Sequence, residues 1–182
     1  MKLFVLLLVI ILFLSETGFA EEFQPLCIST VFDSQISLIE GDFQKTLPQK
    51  KTIVYTKVPR GLVLSIDESE FFEKGSTVIK PEGKLLLNCI SDVLKNVDNQ
   101  CVVESHTDEP ISHENIMKYD WELTIMRANA IVDYVVMQTK FPYDRIFPQG
   151  FGEIMPFNDN VARKDFSDRR IDFVIFDYDI ER

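Results

Sequence analysis

Between Lys51 and Phe176 the apolar residues switch back and forth between a spacing of two and a helical spacing, and this switching restricts the chain to few folds. Two β-branched and aliphatic runs, residues 51–58 (KTIVYTKV) and 61–67 (GLVLSID), are divided by Pro59-Arg60, which predicts two strands with a tight connection. Pro81 suits a first helical turn, and Leu86, Ile90, Val93, Leu94 and Val97 then lie on one stripe of a helix ending near Asn99. Residues 101–106 (CVVESH) read as a strand and 107–119 as a polar connection; 121–139 read as a second helix that Asp120 can cap. On that helix Leu123, Met126, Ala130 and Tyr134 mark one side, widened by Ile131 and Val135. A strand is expected near Arg145 to Phe147, then a turn at 150–156 (GFGEIMP). In the last strand Ile171, Phe173 and Ile175 alternate with Asp172, Val174 and Phe176. The order βαβαββ points to an α+β sandwich, with two or three helices packed on one mixed β-sheet, rather than to a doubly wound nucleotide fold.

Residues 1–20 have a different character. Met1-Lys2 is a short basic start, Leu3 to Leu14 is unbroken apolar sequence, and Gly18-Phe19-Ala20 offers small residues for cleavage, as in a secretory signal peptide. The apolar run is short of the roughly 20 residues that span a bilayer. Cys27 lies too far behind it, after Gln24-Pro25-Leu26, for a lipoprotein. The expectation is therefore a periplasmic chain with no membrane span after cleavage. Residues 21–59 mix apolar and acidic residues without a sustained period and read as an N-terminal arm or linker with a strand at 51–58; residues 60–178 form the domain and 179–182 a tail. Export makes disulfides possible, and Cys89 with Cys101 is the pair to test. Both nonetheless sit in apolar segments and read first as small buried hydrophobes.

Charge and motifs exclude several functions. With 19 Lys plus Arg against 29 Asp plus Glu, a net charge of −10 and no basic stripe, nucleic acid is not an expected partner. There is no GxSxG, HExxH or CxxC, and neither His has an evident nucleophile and orienting acid, so no enzyme is expected. His106, Asp108, His113 and Glu114 are metal-ligand types, but three of them sit on an unconstrained loop, so neither metal nor cofactor is expected.

The densest polar cluster is residues 104–128, from a strand end into a helix. Its segments HTDEP (106–110) and YDWELTIMRA (119–128), followed by GFGEIMP (150–156) and DRRIDF (168–173), resemble the motifs of the OmpA-like, or OmpA/MotB C-terminal, peptidoglycan-binding domain. The similarity covers about residues 60–178. The span from Asp108 to Arg127, with Trp121-Glu122-Leu123 between them, is closest to the MotB branch.

The resemblance implies non-catalytic binding of the diaminopimelate side chain of a peptidoglycan stem peptide. Asp108 matches the acid that accepts from the ligand ammonium and Arg127 the guanidinium that takes its carboxylate. Thr107, Leu123 and Thr124 match positions shaping the same pocket. On chemistry alone, a zwitterion needs one acid and one guanidinium held apart on rigid elements, which a strand end facing a helix start supplies. Without the motifs, Asp108 and Arg127 would read as an exposed ion pair worth about 0.2 to 1 kcal/mol. Asp120 reads equally as an N-cap, and Asp168 with Arg169 and Arg170 as a tie between the last strand and the 150s loop. Trp121 reads as a core anchor.

Three departures from the family pattern bear on the ligand. Asp120 and Asp168 stand where the family has Asn, and Ser105 replaces a Gly. Extra negative charge favours an ammonium over a carboxylate, so ornithine or lysine competes with diaminopimelate as the expected ligand, while Arg127 argues for diaminopimelate. Affinity for a polymer of equivalent sites rises through rebinding, which suits a wall tether. The second expectation is an accessory of a flagellar motor or envelope complex whose residues 21–59 dock a partner. It is not itself a stator, because Leu3 to Leu14 carries no acid for ion passage.

Overall fold

The computed structural model describes residues 28–107, 120–152 and 168–177. The compact unit Phe32–Arg182 holds the elements below, apart from the first residues of the helix Ile28–Thr46.

That helix, α1 (Ile28–Thr46), corrects the expectation of an irregular arm. Ile36, Ile39, Phe43 and Leu47 recur at helical spacing and are all buried in the main core. An exposed Leu38 and a Gly41 facing open space blur the stripe in the sequence. Strands β1 (Ile53–Val58) and β2 (Gly61–Asp67) form the expected hairpin, with Val58 opposite Gly61. Gly61 has φ +135, and a Cβ there would lie 2.0 Å from the Ile175 carbonyl oxygen, so only glycine closes this turn. Asp67 then caps a 3₁₀ turn, Glu68–Glu70, by accepting from the Ser69 N–H at 2.9 Å.

Helix α2 (Pro81–Lys95) begins at the anticipated proline and stops short of Asn99. Arg145 explains the stop: one guanidinium nitrogen donates to the carbonyls of Leu94 (3.1 Å), Asn99 (2.9 Å) and Val97, satisfying the helix end as a side-chain cap. Strand β3 (Cys101–His106) and helix α3 (Asp120–Thr139) follow, the helix starting at Asp120 itself. Strand β4 (Ile146–Gly152) runs through Gly150-Phe151-Gly152, which the sequence reading placed in a turn; β5 (Arg170–Phe176) closes the sheet. Pro148 is tolerated because β4 is an edge strand.

The sheet order is β1-β2-β5-β3-β4, with only the β3–β4 pair parallel. Pairing register divides it into two faces. Ile53, Leu62, Leu64, Ile66, Cys101, Val103, Ile171, Phe173 and Ile175 share one face and one core with α1, α2 and α3. Three helices thus pack on one side of an open mixed sheet, as the α+β expectation required. Ser65, Asp172 and Glu104 lie in register across β2, β5 and β3 on the opposite face.

Two details of α3 differ from expectation. Its buried side runs through Leu123, Thr124, Arg127, Ala128, Ile131 and Val135, while Met126 is exposed. Trp121 is 52% exposed, where a core position was expected. Cys89 and Cys101 are both free thiols. Among the described residues no helix is long and apolar enough to cross a membrane.

Candidate functional site

Gly152 joins the end of β3 to the start of α3. Its carbonyl accepts from the Thr107 N–H, and its own N–H donates to Thr124 Oγ1, both at 3.1 Å. Its φ of +56 lies in the left-handed region that favours glycine. Thr124 Oγ1 also donates to the Trp121 carbonyl at 3.0 Å, so this hydroxyl fixes the first turn of α3 while holding it to β4. Gly150 allows the close approach: a Cβ there would lie 2.4 Å from the Ile125 nitrogen. Thr107, Leu123 and Thr124, three of the expected pocket residues, are buried around this junction.

Arg127 comes one turn after Thr124 and is fully buried. Its Nη1 donates to Glu68 Oε2 at 2.6 Å, its Nε to the Ser76 carbonyl at 2.9 Å and its Nη2 to the Glu73 carbonyl at 3.4 Å. The Phe72 ring centroid lies 5.3 Å from the guanidinium carbon. Charge-assisted bonds inside a protein are stronger than neutral ones, and removing either partner strands a buried charge. Glu68 was invisible in the sequence as a partner. A buried Arg demands an acid, but Asp67, Glu68 and Glu70 form a run with no signal for which one turns inward. Glu68 is itself fixed: its N–H donates to the Arg169 carbonyl at 3.2 Å and its carbonyl accepts from Phe71 and Phe72.

The other sequence candidates are placed unevenly. Asp108, His113 and Glu114 lie outside the described residues, as does the side chain of Asp120. Asp168 and Arg169 are exposed. Arg170 is the buried member of that motif, with Nε on Asp172 Oδ2 at 2.9 Å and Nη1 on the Asp168 carbonyl at 3.3 Å.

On the sheet face away from the helices, Glu104, His106 and Asp172 are buried, with one ligand-type atom each within 4.8 Å of one another. His106 Nε2 is 3.4 Å from Asp172 and 3.9 Å from Glu104, and its ring stacks on Phe151 at 5.0 Å. Both carboxylates already have guanidinium partners, Arg60 forked onto Glu104 at 3.1 and 3.2 Å and Arg170 on Asp172. The formal charges of these four side chains cancel, so a dication would enter an ion-pair network that is already balanced. Burial alone would raise the Asp172 carboxyl, but the His106 contact and the Arg170 charge outweigh it and hold that carboxyl below its usual range.

An open mixed sheet with helices on one face, and a polar junction where a strand end meets a helix start, define the α+β class of this domain. The chain belongs to the OmpA family, whose model matches residues 71–170. It is 27% identical to Motility protein B of Bacillus subtilis (strain 168) over 146 residues, which is 78% of this chain and 56% of that one. The fold is shared with a putative MotB-like protein from Desulfovibrio vulgaris, at a TM-score of 0.70 and 17% identity over 84% of this chain and 95% of that one. It is shared also with the cell wall anchor of the T6SS from Pseudomonas aeruginosa, at a TM-score of 0.61 and 23% identity over 78% and 96%. The chain spans about half the length of the curated relatives it matches.

Proposed function

We propose that this protein tethers itself or a partner to the cell wall from the periplasm, by binding the peptidoglycan stem peptide without cleaving it. Asp108 and Arg127 are the principal contacts, supported by Thr107, Leu123, Thr124, Asp120, Asp168 and Arg169. The observation that carries this reading is the Gly152 junction. It fixes Thr107, the neighbour of Asp108, and Thr124, one turn before Arg127, on a single residue within the span that matches the family. A relative in fold that is a cell wall anchor supports the same reading.

Co-sedimentation of the purified protein with sacculi tests it. Asp108→Ala and Arg127→Ala are expected to lose pellet association, and equal pelleting of both with the wild type refutes the site. Because Arg127→Ala strands Glu68, at a cost of about 3–5 kcal/mol, Arg127→Lys is measured beside it: it keeps the charge and loses the fork.

The match to Motility protein B favours a second role, as an accessory of a flagellar motor or envelope complex docking through residues 21–59. Leu38, 70% exposed on α1, offers an apolar contact for such a partner. Capture of a motor or envelope protein by the wild type, lost in Leu38→Asp, distinguishes this role from wall binding alone.

A further inference from the structure

We propose that Lys50, with Thr52 beside it in the link between α1 and β1, positions Arg127 from outside the binding pocket, acting through Glu70 and the 3₁₀ turn that Glu70 shares with Glu68. The link thereby sets how firmly the site grips the wall. This rests on the stem-peptide reading above and adds to it a control exerted from within residues 21–59.

The two ends of this turn, Glu68–Glu70, face different parts of the molecule. At one end Glu68 Oε2 accepts from Arg127 Nη1 at 2.6 Å. At the other, Glu70 Oε2 accepts from Lys50 Nζ at 2.7 Å and its Oε1 from the Thr52 hydroxyl at 2.9 Å, so one short stretch of chain holds both carboxylate oxygens. Burial alone would raise the Glu70 carboxyl, but these bonds and the Lys50 and Lys80 charges outweigh it and hold that carboxyl below its usual range. The stretch is itself fixed at both sides. Gln49 Nε2 donates to the Gln44 carbonyl in the last turn of α1 at 2.8 Å, and the Lys50 carbonyl accepts from the Ile53 N–H that opens β1 at 3.2 Å.

Between the two glutamates the turn moves as one piece. The Glu68 carbonyl accepts from the N–H groups of Phe71 and Phe72, both at 2.9 Å, and the Ser69 carbonyl accepts from Lys80 Nζ. A Cβ on Gly83 would lie 2.9 Å from the Phe71 Cα, so α2 starts directly against this piece. Arg127 meets it twice, through Glu68 and through the Phe72 ring 5.3 Å from the guanidinium carbon. The Lys50 side chain is 47% exposed and that of Glu70 18%, so their pair adds little to stability directly. Its effect is geometric, because a buried ion pair such as Glu68 with Arg127 repays its desolvation only when its geometry is excellent.

Two measurements on the full chain test the proposal: the apparent affinity for sacculi, and the Nε–H NMR signal of Arg127, assigned by its loss in Arg127→Lys. Lys50→Met and Glu70→Gln are each expected to shift that signal and to weaken sacculus binding about threefold or more, with urea midpoints close to that of the wild type. Lys50→Arg, which keeps the charge and the reach, is expected to match the wild type in both. Because Lys50 acts through Glu70, the double variant Lys50→Met with Glu70→Gln is expected to bind no worse than Glu70→Gln alone. Wild-type affinity or an unmoved Arg127 signal in Glu70→Gln overturns the proposal. Losses that add in the double variant, or that follow the urea midpoint, overturn it as well, since they mark a merely structural role. A wild type that does not pellet sinks the tether reading and this inference with it, whereas variants that pellet as well as the wild type sink the inference alone.

Discussion

Thr107 and Thr124 meet on opposite sides of one glycine: the Gly152 carbonyl takes the backbone N–H of the first, and the Gly152 N–H gives to the hydroxyl of the second. Thr124→Val keeps the shape and removes the acceptor, leaving a buried N–H unmet. A loss of about 1–3 kcal/mol in urea unfolding is expected, together with weaker sacculus binding, since Arg127 sits on the turn that Thr124 holds. Thr124→Ser should restore both. Unaltered stability in the Val variant would show the junction to be incidental.

Arg145 joins elements distant in sequence by gathering the carbonyls at the end of α2, and its guanidinium lies over the Phe141 ring at 5.0 Å. Arg145→Ala exposes several buried acceptors at once and should cost about 3 kcal/mol or more in chemical denaturation. Arg145→Lys should recover part of this, because an ammonium can reach only some of the carbonyls.

Asp172 makes stability depend on acid. Its folded carboxyl is held below the unfolded value of about 3.9, so the ionised form stabilises the fold. That contribution is complete above the unfolded value and is lost as pH falls through the lower folded one. Asp172→Asn should be less stable than the wild type at pH 7, with a gap that stays flat down to about pH 4 and closes below it. A gap of the same size at every pH would show that the charge of Asp172 is not the cause.

The cysteines give a chemical readout. Burial, aided by the nearby Glu104 charge, pushes the Cys101 thiol far above its usual range, with Arg145 offsetting only part of that effect. In the native protein Cys101 should react with alkylating reagents only as fast as the domain opens, and Cys89, half-buried on α2, should react sooner. Mass spectrometry of the unreduced protein should find no Cys89–Cys101 bond.

What the sequence made legible was set by periodicity. Strand β3 ended where the alternation ended, and α2 announced itself through Pro81 and the Leu86 to Leu94 stripe, because each element shows one apolar side to one core. Helix α1 went unseen because Leu38 and Gly41 interrupt a narrow stripe. Gly150 and Gly152 suggested a turn, whereas one makes room for α3 and the other takes a left-handed backbone inside an edge strand. For the site, the motifs singled out Arg127, Thr124 and Thr107. They could not single out Glu68, because a buried ion pair between residues 59 positions apart leaves no local trace in either segment. Met126 and Trp121 were read as inward-facing because both are large and apolar, yet the buried side of α3 is centred on Thr124, Arg127 and Ala128.

The packing of α1 also bears on mechanics. Ile36, Ile39, Phe43 and Leu47 are seated in the same cluster as the sheet, so the helix is a stiff handle and not slack cord. Tension arriving along it is delivered to the strands through those four side chains, and the domain resists by shearing a packed interface instead of paying out chain. A fragment cut at residue 60 would lose that grip and lay bare the ground it covers.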